Sequence, residues 1–334
     1  MDPSIFISLA LLFGIAATFR AMDGYSFLRR LIAGFESRIG VLYAVVLVTA
    51  LISPFILNDV VILILTPVIV RYAKQFRVSI APLLVAEICF TNIASSLTPL
   101  GNPQNILLWQ ASGISARQFV LGTCWPIAIS CALTAVALYP FRKRLGGARE
   151  FPTSVGTRLP AIYLSAVAVI VFSLDIVGVS NVLSLGMAFL LGLALNLRAP
   201  QQVAKEFDVK SLLILYVLVG STLLVVNILQ TSLVPYVAPA VSGSQPYSAF
   251  FVGLVSNLVS NVPATQLILG TVVVSSHTAP MLAVEAGLAG NIGPIGSFAN
   301  ILALLMVKRS GLAIRKIMIL QLVVGLVSFL PALL

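Results

Sequence analysis

The chain has 334 residues, 59% of them hydrophobic and 9% charged, with a formal net charge of +10 and a mean hydropathy of +1.08. A soluble globular domain is roughly half apolar and a quarter charged, so this composition excludes one and indicates a chain that lives in the bilayer. The positive charge does not read as a nucleic-acid footprint, because the Lys and Arg residues gather in clusters between apolar runs.

Apolar runs such as Pro3 to Phe19, Ala161 to Gly178 and Ser211 to Val226 approach or reach the ~17 to 25 residues an α-helix needs to cross the hydrocarbon core. The short alternating segments of a transmembrane barrel are absent. No basic stretch precedes the first run and no small-residue cleavage site follows it, so it is expected to be a retained span and not a signal peptide. Basic clusters lie at Arg20, Arg29, Arg30 and Arg38, at Arg71, Lys74 and Arg77, and at Arg142, Lys143, Arg144, Arg149 and Arg158. Others lie at Arg198, Lys205 and Lys210, and at Lys308, Arg309, Arg315 and Lys316. Segments 231–248 and 271–278 have no Lys or Arg, and 111–118 has only Arg117.

Placing the basic loops in the cytoplasm predicts spans 3–19 inward, 79–110 outward, 118–140 inward, 161–178 outward, 182–197 inward, 211–230 outward, 279–307 inward and 317–333 outward. Both termini are then non-cytoplasmic, in what is expected to be a prokaryotic inner membrane. Two apolar stretches do not fit as crossings: 40–70, with basic loops at both ends, and 249–270, with uncharged loops at both ends. Each carries a polar interruption, "LNDVV" at Leu57 to Val61 and "SNVPAT" at Ser260 to Thr265. Two helical arms meeting at a polar tip read as a re-entrant hairpin, tolerated at membrane depth where it is buried in protein or lines a wet cavity.

Two further matches connect the halves. "TPLGNPQNIL" at Thr98 to Leu107 parallels "GPIGSFANIL" at Gly293 to Leu302, and "APLLVAE" at Ala81 to Glu87 parallels "APMLAVE" at Ala279 to Glu285. Because basic loops flank the first hairpin and avoid the second, the copies have opposite orientation, the pattern of an inverted-topology repeat. The expected fold is therefore an all-α polytopic membrane protein with two re-entrant hairpins and two broken helices, 79–110 and 279–307. Residues 1–140 form the first repeat, 141–160 a cytoplasmic basic linker and 161–334 the second repeat. The second copy has spans 161–178 and 182–197 ahead of its counterpart of the first helix, so the N-terminal half is abbreviated.

Prolines and glycines in Thr98 to Asn105 break the helix and free backbone groups that must find partners. Helices restarting near Gln104 and Asn105, near Ala299 and Asn300, and after Asn58 and Asn261 would aim four positive helix ends at one cavity. Such a cavity holds an anion without a buried Arg or Lys, while break carbonyls and Asn, Ser and Thr side chains hold a cation. Asp59, Glu87 and Glu285 sit well inside apolar segments, which marks each as a candidate for cation binding or proton carriage. Asp59, at a hairpin tip, is the first choice for coupling. Glu87 and Glu285 are read equally well as structural groups or as a proton relay. Cys89, Cys124 and Cys131 read as core residues and His277 as a loop residue.

At these residues the sequence resembles the ion-transporter superfamily of arsenite efflux pumps, D-type sodium/proton antiporters, citrate transporters and divalent-anion/sodium symporters. "LNDVVILILTPV" resembles the first-hairpin motif of the arsenite-pump and antiporter branch, and "SLTPLGNPQNILLW", "SNVPAT" and "GSFANILAL" are similar to bacterial relatives of that branch. The resemblance implies an elevator mechanism on a scaffold that usually dimerises. It places Asn58, Asp59, Thr98, Gly101, Asn102 and Asn105 in one half-site and Ser260, Asn261, Gly296, Ser297 and Asn300 in the other, with sodium a candidate at Asn58, Asp59, Asn102 and Asn261. Dicarboxylate symporters of the superfamily carry a Ser-Asn-Thr tip in each hairpin. Here Val262 follows Ser260-Asn261 and the first tip reads Asn58-Asp59-Val60, which favours proton coupling or a less charged substrate. The expected function is secondary transport of a small inorganic or organic anion or a metalloid oxyanion or hydroxide, coupled to protons or sodium, with no other cofactor and no nucleic-acid partner. Sodium/proton exchange is the alternative. A channel suits matched hairpins less well, and an intramembrane enzyme would need a nucleophile with its base or a metal cluster, which the chain lacks.

Overall fold

The computed structural model describes residues 4–142, 145, 158–242 and 246–334. Lys143, Arg144, Arg149 and most of the expected basic linker lie outside the described residues. Every regular element among those described is helical, as hydrocarbon demands of a chain whose backbone groups find no water.

The first part runs α1 (Ser4–Ala21), α2 (Gly24–Ile52), α3 (Asn58–Phe76), α4 (Ile80–Ser95), α5 (Pro103–Ser112) and α6 (Ala116–Leu138). The second runs α7 (Leu159–Ile176), α8 (Asn181–Leu195), a short α9 (Pro200–Glu206), α10 (Val209–Ser242), α11 (Tyr247–Val259), α12 (Asn261–Leu269), α13 (Thr278–Ala289), α14 (Phe298–Arg309) and α15 (Arg315–Phe329). Five segments, in α1, α2, α6, α10 and α15, are long and apolar enough to cross a membrane. Their outward faces carry large apolar side chains, among them Trp125 and Val136 on α6 and Val217 on α10, as lipid-covered helices do.

Helix α4 is the centre of the bundle. Each of its residues is buried, so it has no polar stripe, and it packs against α2, α3, α6, α13, α14 and α15. The apolar run 79–110 is interrupted where expected: α4 stops at Ser95 and α5 starts at Pro103. Run 279–307 is interrupted likewise between Ala289 and Phe298. Stretch 40–70 forms two arms separated by non-helical residues 53–57, and stretch 249–270 forms two arms that abut at Ser260.

Two segments differ from the loops expected of them. The basic stretch 24–39 is helical and joins the following arm through a kink at Gly40, whose φ of 79° and ψ of 157° break the helical geometry. Glu36 in this stretch is buried and accepts a hydrogen bond from Tyr72 Oη at 2.7 Å, so its charged composition reflects one inward acid among outward cations. Helix α10 continues to Ser242 through Pro235 and Pro239, beyond the expected end at 230.

Arg20 is likewise not a loop cation. It is buried, donates to the carbonyls of Leu63 and Glu206 and pairs with the Glu206 carboxylate at 3.4 Å, tying α1 to α3 and α9. A second ion pair ties α14 to α10: Arg309 Nη1 lies 2.8 Å from Asp208 Oδ1, and Ser211 donates to the same carboxylate through its backbone N–H and hydroxyl. Burial would raise the Asp208 carboxyl, but the hydrogen bonds from Ser211 and Arg309 outweigh it and hold the group below its ordinary 3.8. A carboxyl depressed in the native state contributes stability that is complete above its unfolded value and is lost as pH falls through the native one. Arg309→Gln should therefore lower the melting temperature in detergent at about pH 7, with the difference from wild type shrinking near pH 3. A deficit independent of pH would show that the pair contributes nothing through Asp208 ionisation.

Candidate transport site

The two interruptions are solved with one set of contacts. In the first, Asn105 Nδ2 donates to the carbonyls of Ser95 at 3.3 Å and Thr98 at 2.8 Å. In the second, Asn300 Nδ2 donates to the carbonyls of Gly290 at 2.5 Å and Gly293 at 2.9 Å. The sequence separations, ten and seven residues, are the same in both. The tip N–H of Asn58 donates to the Gly101 carbonyl at 2.9 Å, and that of Asn261 donates to the Gly296 carbonyl at 3.2 Å. One amide side chain and one tip N–H thus satisfy the carbonyls that a broken membrane helix leaves open.

The remaining expected residues brace these contacts. Asn102 caps α5, its oxygen accepting from Asn105 N–H at 3.1 Å and its amide donating to Ser95 Oγ at 3.0 Å. Thr98 Oγ1 donates to the Pro54 carbonyl, joining the break to the linker before α3. Gly101 is required, since a Cβ there would run into the backbone of Ser95. Ser297 is buried at the start of α14 without a side-chain cap bond. Ser260 holds φ 75° and ψ 160°, a region essentially confined to glycine, and its buried hydroxyl has no partner among the described residues.

Asn92 and Gln104, which sequence reasoning did not single out, connect the halves. Asn92 accepts from Asn58 at 3.4 Å and donates to Asn291 Oδ1 at 3.1 Å and Asn300 Oδ1 at 3.0 Å. With its amide oriented by its neighbours, Asn261 accepts from Gln104 Nε2 at 3.1 Å and donates to the carbonyls of Ala286 and Gly296. An amide in the otherwise apolar run of α4 was the available signal.

Beside this network lies a cavity of about 270 Å³, lined in part by Ser8, Asp59, Pro103, Val262, Gln266 and Phe298. These include a first-turn residue from each of α3, α5, α12 and α14. Among the described residues Asp59 is the only charged one in the lining and has no ion pair, and it is 4% exposed. Glu87 and Glu285 are both fully buried and do not reach this cavity; Glu87 accepts from Thr66 and Glu285 from Ser248, each at 2.9 Å. Of the sodium candidates, Asn58, Asn102 and Asn261 each use their oxygen to accept one hydrogen bond and retain a second lone pair. Among the described residues no three His, Cys, Asp or Glu side chains group as a metal site, so a cation would rest on Asp59 with neutral oxygens.

A family model described as "CitMHS: Citrate transporter" matches residues 2–289. The chain belongs to this citrate-transporter family. It is thus a member of the broad anion, citrate and arsenite-transporter-like superfamily. It is 32% identical over 133 residues to "Inner membrane protein YbiR" of Escherichia coli (strain K12), covering 39% of this chain and 34% of that protein. It is 40% identical over 78 residues to "Silicon efflux transporter LSI3" of Oryza sativa subsp. japonica, covering 23% and 16%. An uncharacterized transporter of Mycobacterium tuberculosis (strain ATCC 25618 / H37Rv) is 25% identical over 308 residues, covering 81% of this chain and 70% of that one. The matched stretch thus spans about a third of YbiR and a sixth of the rice protein.

Two expectations follow from the citrate-transporter-family geometry. Asn300→Ala leaves the Gly290 carbonyl without its amide partner, while the Gly293 carbonyl keeps Gly296 N–H and Gln321, and should destabilise the protein by about 1–3 kcal/mol. Asn105→Ala should do the same through the Ser95 carbonyl, the Thr98 carbonyl keeping Gly101 N–H. Chemical denaturation in micelles reads both; a neutral result for either would remove the amide from its structural role. Ser260→Gly should raise thermal stability by relieving backbone strain of about 1–3 kcal/mol. An unchanged or lower melting temperature would mean that Ser260 is not strained.

Proposed function

We propose that the protein is a secondary active transporter that binds a small anion, or a metalloid oxyanion or hydroxide, in the Asp59 cavity and couples its movement to protons or sodium at Asp59. One observation carries this reading: α3, α5, α12 and α14, together with α1 and α8, contribute first-turn residues to a single cavity that has no cationic side chain among its described lining residues. Helix N-termini present the positive end of the dipole, which suits an anion. Asp59 would oppose that anion unless it carried a proton or a cation, and this opposition is the physical basis of coupling. The Asn58, Thr98, Gly101, Asn102 and Asn105 half and the Ser260, Asn261, Gly296, Ser297 and Asn300 half do not line this cavity; they form the breaks beside it that set where the helices begin. The silicon efflux activity in the name of the rice relative makes metalloid hydroxides a substrate class to test beside citrate and inorganic anions.

The matched hydrogen bonds at the two breaks support an inverted-topology repeat, with residues 1–140 and 161–334 as its halves and the arms around Asn58 and Asn261 as re-entrant hairpins. On this reading both termini face away from the cytoplasm of a prokaryotic inner membrane. The broken helices and hairpins slide as an elevator against a scaffold drawn from the remaining helices, in a homodimer.

Sodium/proton exchange is the second reading, favoured by Asp59 being the single charge among the described residues of the cavity lining. Proteoliposome uptake under separate proton and sodium gradients, screening arsenite, silicate, phosphate, sulfate and citrate, separates the two. The expected outcome is saturable uptake of one of these solutes by wild type. Asp59→Asn should lose gradient-driven accumulation while keeping solute exchange. If no solute moves and sodium alone changes the internal pH, the protein is an exchanger.

A further inference from the structure

Glu285, itself buried, borders a second cavity, of about 280 Å³, whose lining shares no residue with the Asp59 cavity. Its walls include Gln118 and Pro126 of α6, Met281 of α13, Pro331 beyond α15, and Ser276 and His277 at the mouth. Glu285 lies seven residues into α13, about 10 Å below the helix start at 1.5 Å per residue. Its carboxylate accepts from Ser248 on α11. Glu87 holds the matching sequence position on α4, accepts from Thr66, and has its other oxygen buried with no partner among the described residues. It lines neither of these two cavities.

We propose that Glu285 is a second protonation site, served by its own vestibule from the surface that carries His277, whereas Glu87 is a sealed structural acid. The step is reversible transfer of a proton from hydronium in the vestibule to the Glu285 carboxylate, leaving water. The elements packed against α13 include α4, α5, α6, α11, α12 and α15. Their charged or titratable side chains are Glu87 and Cys89 on α4, Arg117, Cys124 and Cys131 on α6, Tyr247 on α11, and Arg315 and Lys316 on α15, with none on α5 or α12. Of the titratable side chains described, His277 joins Glu285 in the vestibule lining, which Leu334 with its main-chain carboxylate also borders. An acid at the wall of a vestibule separate from the Asp59 cavity would exchange protons without passage through the Asp59 site, which gives the protein two separately addressed carboxyls.

Thiol accessibility tests the route. In a protein with Cys89, Cys124 and Cys131 replaced, a small charged methanethiosulfonate reagent should modify Glu285→Cys and leave Glu87→Cys unmodified. A bulky adduct placed beforehand on His277→Cys should abolish modification of Glu285→Cys and spare Asp59→Cys. Met281→Cys lines the same vestibule with the acid intact and substitutes where Glu285→Cys does not assemble. Protonation itself is read by infrared difference spectra of wild type, Glu285→Gln and Glu87→Gln. The carboxyl band lost in Glu285→Gln should titrate with bath pH and exchange quickly in D2O, and that lost in Glu87→Gln should do neither. Equal protection of positions 285 and 87, or a Glu285 band that does not titrate, would overturn the proposal. Neither readout uses transport, so failure here leaves the anion-transport reading standing, and the reverse.

Discussion

In hydrocarbon, a backbone N–H or C=O without a partner costs several kcal/mol, and this chain breaks its helices repeatedly in spite of that. Each break must therefore carry its own solution. Asn105 and Asn300 supply it by spanning two carbonyls apiece, and the tip N–H groups of Asn58 and Asn261 close a third. The interruptions are thus rigid, internally satisfied structures, and helix ends can be held at a cavity without water filling the bundle.

That rigidity shapes the chemistry. With the break carbonyls largely consumed by amides, what faces the Asp59 cavity includes first-turn residues of α3, α5, α12 and α14, the α1 and α8 walls, and the Asp59 carboxylate. A site built from helix ends and a single acid has weak intrinsic preference for any one anion, because the dipoles supply field without a shaped set of cationic forks. On the proposed reading, selectivity then rests on size and on small polar contacts. Asn92 makes the two halves one unit, since its amide touches the first tip and the second break together.

Much of this was legible in the sequence. Proline, glycine and asparagine at fixed offsets located both helix breaks, because those residues have few other uses inside a membrane helix. The polar tips around Asn58 and Asn261 were visible as dips in apolar runs. What the sequence hid depended on partners far along the chain. Asn92 is one amide in an apolar helix, and its role follows from contacts 199 and 208 residues away. Arg20 and Glu36 were masked by neighbouring surface cations, and only the helical turn of α2 and the approach of α3 show that both point inward. The strain at Ser260 is likewise a property of backbone angles that its residue type argues against.

An inverted repeat requires that the two hairpin arms return to opposite sides of the membrane, and the transport reading depends on that inversion. The deciding measurement is side-specific labelling of single cysteines placed just after α3 and α12, Arg77→Cys and Val273→Cys, with an impermeant maleimide in oriented vesicles. Inversion predicts that Arg77→Cys reacts only from the cytoplasmic face and the fully exposed Val273→Cys only from the opposite face. Labelling of both from one face would contradict the inverted repeat, and with it the alternating-access mechanism built on that symmetry.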